Sequence, residues 1–257
     1  MELSVVDHGL AALAALAAGA VNAVAGGGTL ITFPTLMALG LPAVTSNITN
    51  TVALCPGYFG GTFAQRDDLT RQRRRLPPIV AAAAVGGLIG SILLVLSPEE
   101  LFRSLVPFLL LGACALLAMG DRIRAALPPR PPWSEGETAL VSPPSVIVAV
   151  FAIGIYAGYF GAGMGIMALA VLSLCLDDSM VRINVLKQLV AFIANLVAAT
   201  YFLSSGKLVW SLVLVMAPAS LIGGFVGGRL VRHMRPRLLR SVVVTIGVVV
   251  AVNFWLR

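Results

Sequence analysis

The chain has 257 residues, 58% of them hydrophobic and 11% charged, with a mean hydropathy of +0.95. That composition excludes an ordinary soluble domain and marks an integral membrane protein. The net charge of +7 would suit nucleic acid, but the arginines fall in loops between apolar runs without aromatic or motif context, so membrane orientation accounts for them.

Taken in order, the apolar runs number ten. The first, Leu10 to Ala25, ends on small residues as a signal peptide does, but only Glu2 and Asp7 are charged before it, so it is read as a retained first helix. A glycine cluster, Gly26-Gly27-Gly28, then opens a short segment, Leu30 to Leu39. A polar stretch, Thr45-Ser46-Asn47-Ile48-Thr49-Asn50-Thr51, starts the third segment, and Ile79 to Leu96 and Leu105 to Met119 follow. Residues 121–144 hold six prolines among charged and small residues and read as an exposed linker between membrane units at 1–120 and 145–257. The second unit runs from Val146 to Phe160, then through Gly161, Gly163 and Gly165 into a short segment, Ile166 to Leu176. Longer runs follow at Val190 to Leu203, Leu208 to Val231 and Leu238 to Leu256.

The second unit repeats the first. An offset of 137 residues lays Gly26 and Gly28 on Gly163 and Gly165, Asn47 on Asn184, and Gly86, Gly87 and Gly90 on Gly223, Gly224 and Gly227. A period this long means a duplicated domain. The charge bias is exchanged between the copies. Arg66 and Arg71 to Arg75 make a basic loop whose counterpart carries only Lys207, whereas Glu99-Glu100 answers to a loop with Arg229, Arg232, Arg235, Arg237 and Arg240. Positive loops stay in the cytoplasm, so the two halves are expected to be inverted, with both termini and the Glu99-Glu100 turn outside. The expected fold is an all-α membrane protein of two inverted repeats, about five helical segments each, with two short glycine-interrupted helices. A ten-residue helix rises about 15 Å, half the hydrocarbon thickness, and the sequence leaves open whether the short segments cross or re-enter.

Interrupted helices in inverted repeats hold transporter substrates near the midplane. The candidate site is therefore Asn22, Gly26, Gly27, Gly28 and Thr29, mirrored by Gly161, Gly163 and Gly165, where backbone N–H groups at a helix start suit an anion. To these are added Asn47, Asn50 and Thr51, with Asn184, Lys187 and Gln188 as their counterparts. Lys187 stands out because a lysine within a spanning helix is costly unless it faces a polar interior. Asn195, two turns on and on nearly the same face, either extends a polar pathway or links helices. The GxxxG pairs Gly86/Gly90, Gly223/Gly227 and Gly224/Gly228 fit close helix contacts, including those of a homodimer. The carboxylates fall at segment ends, and no nucleophile, metal spacing or cofactor motif is present, so neither an enzyme nor a metal or cofactor site is expected. Expected partners are a small anion and the lipid bilayer. An anion channel and a membrane scaffold are the alternatives to a permease for a small anion.

These residues, from Asn22 and Gly26-Gly27-Gly28 through Ser46-Asn47 and Gly60-Gly61 to Asn184-x-x-Lys187, Gly206-Lys207 and Gly223-Gly224-x-x-Gly227, resemble the TauE/SafE sulfite exporter family over nearly the whole chain. The resemblance implies transport of sulfite, thiosulfate, sulfonates or related anions across a bacterial inner membrane.

Overall fold

A computed structural model describes residues 3–24, 26–70, 72–126, 144–176, 178 and 180–230. Described residues outside short connections are helical: α1 (Val5–Val24), α2 (Thr29–Ala38), α3 (Ala43–Ala64), α4 (Arg66–Thr70), α5 (Leu76–Leu96), α6 (Glu99–Ala126), α7 (Pro144–Tyr159), α8 (Met164–Cys175), α9 (Met180–Phe202) and α10 (Trp210–Leu230). A single 3₁₀ turn, Arg73–Arg75, leads into α5. Among the described residues, four stretches, Val5–Val24, Leu76–Leu96, Val181–Phe202 and Trp210–Leu230, are long and apolar enough to cross a membrane. The expected segment at 238–256, most of the second arginine loop and most of the proline-rich linker lie outside the described residues.

Helix packing rests on small residues. A Cβ at Gly227 of α10 would sit 2.6 Å from the Cα of Ala20 in α1, and one at Gly154 of α7 would sit 3.1 Å from the Cα of Gly86 in α5. The α5–α7 and α1–α10 pairs therefore approach backbone to backbone. Gly224 and Gly228 do the same for α10 against Gly57 and Gly61 of α3. The GxxxG faces proposed for a homodimer are thus filled inside the chain.

Contact order along these pairs gives helix direction. Leu16 meets Gly223 and Ala20 meets Gly227, so α1 and α10 run parallel; Gly57 meets Ser220 and Gly61 meets Gly228, so α3 runs with them. Ala83 meets Gly154 and Gly87 meets Gly158, so α5 and α7 are also parallel. At one end of the bundle, Glu99 at the start of α6 accepts from the N–H groups of Ala43 (2.5 Å) and Val44 (3.2 Å) at the start of α3. The amide of Asn47 donates there to the carbonyl of Tyr159, the last residue of α7 (2.8 Å). At the opposite end, Asn184 near the start of α9 donates to Gln65 just past α3 (3.0 Å). Hence α1, α3 and α10 run one way, and α5, α7 and α9 the other.

Shifted by 137 residues, α1, α2, α3 and α5 fall on α7, α8, α9 and α10, and each pair runs in opposite senses. Because α1 and α3 are parallel, the chain doubles back through α2, which at 10 residues rises only about 15 Å. The 12-residue α8 returns in the same way after α7. The two returns meet: a Cβ at Gly26 would lie 2.5 Å from the Cα of Gly165. Gly26 has φ +82°, a conformation that glycine alone adopts without penalty, and Gly163 caps α8 at φ +70°.

Candidate functional site

One group of buried polar residues converges at the C-terminal end of α1. Asn22 lies near that end, buried, and its Oδ1 accepts the N–H of Gly28 at 2.7 Å. This bond fixes the glycine turn by using one of the donors that a helix start leaves over. The N–H of Gly26 is likewise held by the carbonyl of Val21, and that of Gly161 by Tyr156, each at 3.0 Å. The expectation of a cradle of bare glycine amides therefore needs correction: at Gly26, Gly28 and Gly161 those amides bond within the chain.

What reaches this place instead comes from α9 and α3. Lys187 is 1% exposed, and its ammonium donates to the carbonyl of Asn22 at 3.4 Å, at the negative end of the α1 dipole. Gln188, also 1% exposed, lies against Gly61 of α3, where an added Cβ would overlap Nε2 of Gln188 and stand 3.5 Å from the Cβ of Ala23. Neither polar atom of the Gln188 amide has a hydrogen-bond partner among the described residues. The hydroxyl of Tyr58 stands beside Thr29 and Asn22. The cluster therefore joins Asn22, Gly28, Thr29, Lys187 and Gln188, all expected from the sequence, with Tyr58 and Gly61, which were not.

The counterpart residues of α3 lie elsewhere. From Asn50 to Gly61, the level of Gln188, α3 rises about 16 Å, so Asn47 and Asn50 belong to the opposite half of the bundle. Asn47 bonds the carbonyl of Tyr159, and 137 residues separate Tyr159 from Asn22, the residue whose carbonyl takes Lys187. Equivalent carbonyls thus receive a side-chain donor from the third helix of the opposite half. Oδ1 of Asn47 and Oδ1 of Asn50 are both buried without a partner among the described residues. Thr51 turns its hydroxyl back to the carbonyl of Asn47 (2.9 Å), and Asn195 turns its amide to Ala191 (2.8 Å), so both bond their own helix. Asn184 pairs with Gln65 toward the bundle end, Gly163 packs on Ala113 of α6, and Gly165 serves the turn contact.

Sequence reasoning also missed a buried ionic group at the end where α9 begins. Asp178 accepts from Arg75 at 2.8 Å and lies 3.8 Å from Arg182, with all three side chains at most 8% exposed. Gln72 donates to the carbonyl of Arg182 at 3.2 Å. The sequence put Asp178 at a segment end, where it is, but gave no sign that residues 103 positions apart would pair.

The model of the family described as "Sulfite exporter TauE/SafE" matches residues 11–254. The chain belongs to that family. Among curated relatives, the probable membrane transporter protein YfcA of Escherichia coli K12 is 26% identical over 240 residues, 92% of this chain and 85% of that protein. A probable membrane transporter protein of Haemophilus influenzae is 28% identical over 229 residues (87% and 85%). The probable membrane transporter protein ORF9 of a Sinorhizobium species is 24% identical over 248 residues (94% and 89%). No solved structure gives a significant match. Membership and the apolar helices make this TauE/SafE member a multi-pass membrane protein of the transporter type.

Proposed function

We propose that this TauE/SafE member is a permease that moves sulfite, a sulfonate or a related small sulfur-containing anion outward across the bacterial inner membrane by alternating access. The observation that carries this reading is Lys187, a cation 1% exposed inside an apolar bundle and held at the end of α1, next to the Gln188 amide that has no partner among the described residues. Burying a charge is costly, so an ionisable group inside a membrane bundle marks a functional site by default, and a lysine there suits an anion. The opposed directions of the equivalent helices and the contact between the glycine turns supply two units able to rock about a shared centre. The arginine-rich loop 66–75 favours a cytoplasmic end for the side on which α9 starts.

In the mechanism that follows, Lys187 attracts the anion, Gln188 and Tyr58 orient it, and rocking of the halves exposes it to either face. An inside-negative potential of 100 mV drives each negative charge outward by about 2.3 kcal/mol, so export needs no coupled proton. The test is flux from proteoliposomes together with ligand-dependent thermal stabilisation of the purified protein. Sulfite or a sulfonate is expected to stabilise the wild type and to move saturably, and Lys187→Ala to lose both. Unaltered sulfite flux in Lys187→Ala would remove Lys187 from the site.

A further inference from the structure

The hydrogen-bonding groups left open around the proposed path are not those that a bare anion would complete. An anion with no proton to give offers acceptors only, and these match Lys187 and the Nε2 of Gln188. Around that path, buried amide oxygens also lack a partner among the described residues: Oε1 of Gln188 in one half of the bundle, and Oδ1 of Asn47 and Oδ1 of Asn50 in the other. The orientation of Asn47 is fixed, because its Nδ2 is the atom donating to the carbonyl of Tyr159. For Gln188 orientation does not matter, since both ends of its amide are open. Each of these oxygens requires a donor, and each would repel an anionic oxygen brought against it.

We infer that the transported species is an anion carrying a hydrogen-bond donor of its own, so that its anionic oxygens meet Lys187 and Nε2 of Gln188 while its donor meets Oε1 of Gln188, and Oδ1 of Asn47 and Asn50 along the other half of the path. This deepens the transport reading above and rests on it. A site built to pair both ends of an amide rejects a ligand that leaves one end open, because the unpaired group has lost its water without replacement. The selectivity therefore lies in one hydroxyl, at constant charge and nearly constant size.

Two pairs of anions isolate that hydroxyl: 2-hydroxyethanesulfonate against ethanesulfonate, and lactate against propionate, each measured as saturable uptake into proteoliposomes of the full chain. In the wild type the hydroxyl-bearing member of the preferred pair is expected to move more efficiently by on the order of tenfold. In Gln188→Leu that ratio is expected to fall toward one, with some transport of both members retained. Equal handling of both members of each pair by the wild type would overturn the inference and leave the transport reading in place, and this arm holds even if the variant fails to fold. A well-folded Gln188→Leu with the preference intact would overturn it as well. Hydroxyl preference confined to the carboxylate pair would sustain the inference and overturn the assignment of a sulfur-containing substrate. Saturable movement of none of the four anions, nor of sulfite, would overturn the transport reading itself and the inference with it.

Discussion

The two halves of the bundle carry the same device with different chemistry. In one, Asn47 of α3 gives a neutral amide hydrogen to the carbonyl of Tyr159; in the other, Lys187 of α9 gives a charged one to the carbonyl of Asn22. The ends of the bundle differ in the same way. Where α3 begins, one carboxylate, Glu99, caps backbone N–H groups within its own half, whereas where α9 begins, Asp178 is shared between Arg75 of the first half and Arg182 of the second. Duplication preserved the backbone plan, and divergence placed the buried charges where α9 starts. Among the described residues, a buried lysine beside the end of α1, and ionic ties between the halves only where α9 begins, make the two faces of the protein energetically unequal.

That inequality can be broken in order of size. Gly26→Val strikes what both halves share, since its Cβ would meet the backbone of Gly165 at φ +82°. The expected cost is above about 4 kcal/mol, seen as loss of a monodisperse peak in detergent. Asp178→Ala leaves Arg75 and Arg182 buried without their shared carboxylate and is expected to destabilise by about 3–5 kcal/mol in thermal unfolding. Lys187→Met removes the charged device at nearly equal length, so flux is expected to fall about 100-fold while the protein stays folded. Its neutral counterpart is worth less. Asn47→Ala is expected to cost about 1–2 kcal/mol of stability and a few-fold in flux. Glu99→Gln, which removes only a charge at the start of α3, is expected to lower stability by about 1 kcal/mol. Comparable effects of Lys187→Met and Asn47→Ala on flux would erase the distinction between the halves.

The plan of the molecule was legible in the sequence because it is written in spacing. Glycines repeating at a fixed offset, and apolar runs cut short after them, depend only on the chain itself, and α2 and α8 begin within two residues of where those runs were read. The prominence of Lys187 was legible for a similar reason, since charge within an apolar run is a local fact. Partners were not legible. That Asn22 would turn its side chain onto Gly28, leaving the glycine turn less open to an anion, depends on how α1 ends and α2 starts in space. The nearness of Tyr58 to Thr29 depends on how α2 folds back against α3, and that of Gly61 to Gln188 on the antiparallel register of α3 and α9. Asn50 and Lys187, equivalent by offset, sit in opposite halves because inversion carries equivalent residues to mirrored depths rather than to one place.

The meeting of Gly26 with Gly165 has a mechanical meaning. Two loops that touch through main chain alone have no side chain between them to compress or turn aside, so a displacement of the α1–α2 bend passes undiminished to the start of α8. In the rocking proposed above, that spot would serve as the bearing about which the halves tilt.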